Sequence, residues 1–148
     1  MSALSVNKDT QILRIAMFFF GVVFLGTDIV FLVFPHELFD YTNLVGSYLG
    51  FTEDYPFPNG KFWLILTNAM MLMITYSSFK VTINPRDNIS LIPLILIAKL
   101  TSSATALTYF FIEDNYFAYL LIFIVDFPIF LAISYFYNKA KQAVRIFS

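Results

Sequence analysis

Four stretches of the chain are predominantly apolar over about the length of a membrane crossing. A helix needs about 20 mostly apolar residues to traverse a hydrocarbon layer of roughly 30 Å. The first stretch, about 12–34, runs from Ile12 to Phe34 and stops at Pro35, whose ring cannot continue a helix. The second, about 62–79, carries Trp63 near its start, where an amphipathic ring anchors at a membrane–water boundary. The third, about 89–111, has Pro93 in its first turn, where proline is tolerated. The fourth, about 116–137, has Pro128 near its centre, which predicts a kink. Each is too long for a strand. The pattern predicts an all-α membrane protein: a single domain over 1–148, built as a four-transmembrane-helix bundle.

The first connection has a period of its own. From Leu38, apolar residues recur at Tyr41, Leu44, Val45, Tyr48 and Leu49, with Asp40, Thr42, Asn43 and Ser47 between them and Gly50 as a stop. This predicts a short amphipathic helix on the outer membrane surface. Packing across the end of the bundle, docking of a partner, and a lid over a lipid or quinone pocket remain open as its role.

Composition agrees with lipid as the solvent. Of 148 residues, 59% are hydrophobic and 13% charged, against roughly 45–50% and a quarter in an ordinary globular protein. Aromatic residues comprise 19 Phe, 9 Tyr and 1 Trp, and the mean hydropathy is +0.74. A soluble fold of about 150 residues buries only about 70% of the surface its unfolded chain exposes. A soluble enzyme, a nucleic-acid reader and a disordered tail are therefore not expected, nor is a nucleic-acid partner. With 0 Cys there is no disulfide, thiolate chemistry or Cys-ligated cluster, and 1 His cannot ligate a haem from both sides.

The formal net charge of −1 conceals a separation of signs. Lys8, Arg14, Lys80, Arg86, Lys139, Lys141 and Arg145 fall on one side of the predicted bundle, with Asp9 and Asp87. Glu37, Asp40, Glu53, Asp54, Glu113 and Asp114 fall on the other, with Lys61 and His36. Because basic loops stay on the cytoplasmic side, both termini are expected there. The first apolar run is longer than the core of a cleaved signal peptide and no small-residue cleavage site follows, so it is expected to remain. The Asn88-Ile89-Ser90 sequon lies on the expected cytoplasmic side and is not expected to carry glycan.

Every predicted span carries a strongly polar residue: Asp28, Asn68, Lys99 and Asp126. Such groups are costly in lipid and belong in the bundle interior. At about 1.5 Å per residue, Asp28 and Asn68 lie on the order of 10 Å below the outer surface, and Lys99 and Asp126 near the midplane. Two layers are expected, Asp28 with Asn68 and Lys99 with Asp126, with the flexible Lys99 stem also able to reach upward towards Asp28. Ser102 and Ser103, three and four residues after Lys99, share its face and are placed to hydrogen-bond around the pair; Thr27 and Thr67 are placed to do the same beside Asp28 and Asn68. Interhelical glue, a proton or ion relay, and a site for a headgroup or quinone carbonyl are the readings of this set.

His36 is either a cap of the surface helix or an axial ligand to a pigment; no cofactor is expected. Met70, Met71 and Met73 read as adaptable packing, since consecutive residues face different sides of a helix. The aromatic clusters around Tyr55–Trp63, Tyr109–Phe111 and Tyr135–Tyr137 sit where interfacial belts do. Phe18, Phe19 and Phe20 must in part face lipid or a partner.

The four-helix layout, with Ile12-Leu13-Arg14-Ile15 opening the first helix and Gly21 and Gly26 within it, resembles the DoxX-like family of small bacterial membrane proteins. The resemblance covers about a third of the chain. Family members often carry Lys near the end of the first helix, where this chain has Asp28. What the resemblance implies is association with redox or quinone-linked membrane systems. Two functions follow as expectations. One is an accessory or structural subunit of a larger membrane complex, or a self-associating protein, with no chemistry of its own. The other is a quinone-, lipid- or proton-handling protein using the buried Lys99 and Asp126.

Overall fold

The computed structural model describes residues 3–57 and 62–145; Lys61 of the sequence reading lies outside them. Among the described residues the chain is helical and without strands: α1 (Ala3–Val33), α2 (Pro35–Tyr48), α3 (Phe62–Ile83), α4 (Pro85–Asn88), a 3-10 turn (Ile89–Leu91), α5 (Ile92–Ile112) and α6 (Phe117–Arg145). Four helical segments, Lys8–Val33, Phe62–Ile83, Pro85–Ile112 and Phe117–Gln142, are long and apolar enough to cross a membrane. They alternate in direction, with acidic residues in the connections at one end and basic residues at the other.

α1 packs most extensively on α3, and α5 on α6, so two sequence-adjacent antiparallel hairpins form the halves of the bundle. The α1–α6 contact joins them, and α3 meets α5 only lightly. The buried positions explain this order. On α1 they run Leu13, Met17, Gly21, Phe24, Asp28, and on α5 Ile92, Ile95, Lys99, Ser103, Ala106. Spacings of three and four keep each set on one helical face. On α6, Asp126, Ile133 and Ala140 recur every seven residues. At Gly21 an added Cβ would lie 3.2 Å from the Phe79 ring and 3.3 Å from Ser78 Cβ, so glycine permits the close α1–α3 crossing.

Little of the apolar surface is consumed by this packing. Within the most apolar stretch of each long helix, only 22–28% of residues are buried. Phe18 and Phe19 are exposed, while Phe20 packs partly on the core. For so apolar a chain this is the signature expected of a protein solvated by lipid.

The ends of the elements differ from the sequence reading in instructive ways. Helix α1 begins well before residue 12 and α6 runs on past 137, because the polar flanks continue the helices. Pro128 is accommodated inside the continuous α6. Pro35 ends the first span and also opens α2 from its first turn, with Phe34 in a non-helical conformation between them.

Helix α2 forms where the spacing placed it, yet a different face meets the bundle. Tyr41, Leu44, Val45, Tyr48 and Leu49 are exposed, so of the open readings it is not this apolar face that packs across the end of the bundle. Phe39, Thr42, Asn43 and Gly46 turn inward instead. The reason is steric and polar. Gly46 lets the backbone of α2 touch Phe117 of α6, and Asn43 Nδ2 donates to the Tyr55 carbonyl (3.1 Å) while its Oδ1 accepts from the Tyr55 N–H (3.0 Å). The clamp draws 51–57 back along α2. Beneath it Phe39 meets Tyr55, Phe57 and Trp63, with ring centroids 5.5–5.6 Å apart. Trp63 therefore sits in an aromatic cluster under α2, with its indole N–H buried and unpartnered.

Candidate functional site

The buried stripe of α5 carries Lys99 between Ile95 and Ser103, and that of α6 carries Asp126. Side by side, these helices bring Lys99 Nζ to 2.7 Å from Asp126 Oδ1. It is the one salt bridge among the described residues. The two side chains retain 9% and 12% of their exposure. Across the bundle, Phe24 of α1 places its ring centroid 4.8 Å from Lys99 Nζ, so the ammonium lies between a carboxylate and an aromatic face.

The rest of the expected polar set does not converge on this pair. Ser103 turns its hydroxyl back along α5, donating toward the carbonyls of Lys99 (2.8 Å) and Leu100 (3.1 Å). A serine whose own helix offers a carbonyl one turn earlier takes that local bond. Ser102 lies on the opposite flank, on the wall of a groove between α3 and α5. Thr27 likewise bonds the Val23 carbonyl of its own helix (2.9 Å) and not Asp28.

Asp28 is 95% buried, since its relative exposure is 5%. Its Oδ1 and that of Asn68 are both buried without a hydrogen-bond partner, so no bond at either oxygen closes the expected upper layer. Thr75, 4% exposed, has a buried and unpartnered hydroxyl. The Gly21–Ser78 contact fixes the register of α1 on antiparallel α3: Asp28 stands opposite Met71, with Asn68 and Thr75 each about 5 Å away along the axis.

Two contributors escape the sequence reading. Phe24 is hidden because an apolar ring in an apolar helix gives no polar signal; its place one turn before Asp28 is the only pointer. Thr75 stands seven residues after Asn68 on the same face, a spacing that is legible once Asn68 is taken as internal.

His36 is exposed and stacked on Phe57, with ring centroids 3.8 Å apart, and no side-chain hydrogen bond caps the start of α2. No set of three or more His, Asp or Glu side chains among the described residues is arranged to hold a metal ion. At the acidic end, Tyr116 Oη donates to Asp114 Oδ2 (3.1 Å) and Tyr119 Oη to Glu113 Oε2 (2.6 Å). The bond to Asp114, with Glu53 and Glu113 nearby, pushes the Tyr116 phenol above its ordinary pKa. Set against family models, curated proteins and solved structures, the chain matches none.

Proposed function

We propose that this chain is a small multi-pass subunit of a larger membrane assembly, in a bacterial inner membrane with both termini cytoplasmic, and that it acts by association. The observation that carries this reading is the closure of the Lys99–Asp126 pair. Each charge has its partner at 2.7 Å and an aromatic ring covers the ammonium. A satisfied mid-span pair pins α5 to α6, which is the service polar residues perform between membrane helices.

The shape of α2 supports a place at the outer surface. At about 100° per residue, its circumference divides into three sectors. Phe39, Thr42, Asn43 and Gly46 face the bundle; His36, Asp40 and Ser47 form a polar sector; Tyr41, Leu44, Val45, Tyr48 and Leu49 form an exposed apolar one, with Glu37 at its N-terminal end. Such a helix suits a junction of protein, water and lipid. The resemblance to DoxX-like proteins adds only an association with redox or quinone-linked membrane systems.

Extraction in mild detergent followed by native-gel sizing tests the proposal. The chain is expected to migrate well above its own mass; migration only as a free monomer would overturn it. The second reading, quinone, lipid or proton handling at the buried charges, draws support from the unpartnered oxygens of Asp28, Asn68 and Thr75. Asp28→Asn separates the two: an unchanged assembly with a lost host process favours the second.

A further inference from the structure

Where α3 and α5 meet lightly, they leave a groove of about 450 Å³, open along one side. That volume lies in the range of roughly 300–1,000 Å³ typical of small-ligand sites. Met70, Met73 and Ser77 form one wall, and Leu94, Ile97 and Ala98 belong to the other. All lie within segments long and apolar enough to cross a membrane, so the open side faces whatever solvates those segments. Methionine walls adapt to a flexible apolar chain.

The basic end of the groove is charged. Lys80 continues the α3 wall, because Met70, Met73, Ser77 and Lys80 follow at spacings of three and four on one face. Its ammonium lies 5.4 Å from the Tyr76 ring centroid. Arg86 sits on α4, in the turn that joins the two walls. That turn is held by its own side chains. Asn88 Nδ2 donates to the Lys80 and Asn84 carbonyls (3.2 and 3.0 Å). The acid of the turn, Asp87, is engaged within it, its Oδ2 accepting from Asn84 Nδ2 at 2.6 Å. Neither Lys80 nor Arg86 has a salt bridge among the described residues.

We propose that this groove binds one anionic phospholipid, with an acyl chain between α3 and α5 and the phosphate between Lys80 and Arg86. The apolar wall supplies the fit and the paired cations the headgroup selectivity. A basic residue near a membrane surface contributes about 1 kcal/mol toward an anionic headgroup, so losing both weakens binding by at least roughly tenfold. The site is independent of the Lys99–Asp126 pair.

The test is thermal unfolding of the purified full chain in mild detergent, titrated in parallel with phosphatidylglycerol, phosphatidylcholine and inorganic phosphate. Phosphatidylglycerol is expected to raise Tm at concentrations where phosphatidylcholine does not. Lys80→Ala with Arg86→Ala is expected to shift the midpoint of that titration upward by at least roughly tenfold. Ile97→Trp, at the exposed rim, is expected to abolish the effect; should it not fold, Met73→Trp blocks the opposite wall. Equal response to both lipids, a shift reproduced by inorganic phosphate, or indifference to both sets of substitutions overturns the proposal. So does a dimer that Ile97→Trp dissociates, since the groove would then hold a second copy.

Discussion

Gly46 of α2 and Phe117 of α6 approach so closely that a Cβ at position 46 would lie 2.8 Å from Phe117 Cβ. The contact falls at the root of the Phe117 side chain, so it cannot be relieved by a rotamer change. Gly46→Ala is expected to lower stability by about 1–3 kcal/mol through overpacking, despite the better helix propensity of alanine. Phe117→Leu does not rescue it, because leucine keeps the Cβ. Gly26, with open space around it, is the control: Gly26→Ala is expected to stabilise by roughly 0.5–1 kcal/mol. Denaturant midpoints in one detergent compare the three.

The Lys99–Asp126 pair predicts an asymmetry between single and double substitutions. Lys99→Met leaves a carboxylate, and Asp126→Leu an ammonium, without its partner near mid-span. Each is expected to cost about 2.5–3.5 kcal/mol, the insertion penalty of a lone charge at that depth. The double variant, with neither charge, is expected to recover most of the loss. A double-mutant cycle measured by thermal unfolding checks it; additive losses would mean the pair is not coupled.

The two hydrogen bonds from Asn43 to the Tyr55 backbone hold 51–57 against α2. Asn43→Ala removes both, and at about 1 kcal/mol each is expected to open this segment locally. Hydrogen exchange at the Tyr55 amide reads the effect, and exchange within α5 is expected to stay unchanged.

Tyr116 gives a pH dependence with a definite sign. Its folded pKa is raised above the ordinary value because its O–H donates to Asp114. The neutral phenol is thus favoured in the fold. That contribution is fully present below the unfolded pKa of about 10, and is lost as pH rises through the raised folded value. In an ultraviolet alkaline titration, the difference between the wild-type chain and Tyr116→Phe is expected to titrate above 10. With Asp114→Asn that difference moves back down.

Much of the molecule is legible in the sequence, since a strongly polar residue is conspicuous in a long apolar helix. A helix that must bury its polar side chains announces its inner face, and Asp28, Lys99 and Asp126 mark those of α1, α5 and α6. The pairing of Lys99 with Asp126 follows because adjacent antiparallel helices bring like depths together. Ser102, Ser103 and Thr27 do not turn to the buried charges. Spacing fixes the helix face, but the hydroxyls of Ser103 and Thr27 take their own helix carbonyls, the nearer acceptors, and Ser102 lies on the groove wall.

Helix α2 shows where the division falls. Its existence and start come from the apolar spacing and Pro35, local properties of a few residues. Which face turns inward was decided elsewhere, by Phe117 meeting Gly46 and by Tyr55 returning to Asn43. Hydrophobic periodicity marks an apolar face but does not by itself say that this face meets the bundle. The sequence by itself determined four long apolar helices, their alternation and the sign of charge at each end. Only the tertiary structure decided the light α3–α5 contact, the Phe24 cover on Lys99 and the groove ending at Lys80, because these depend on how closely particular helices approach.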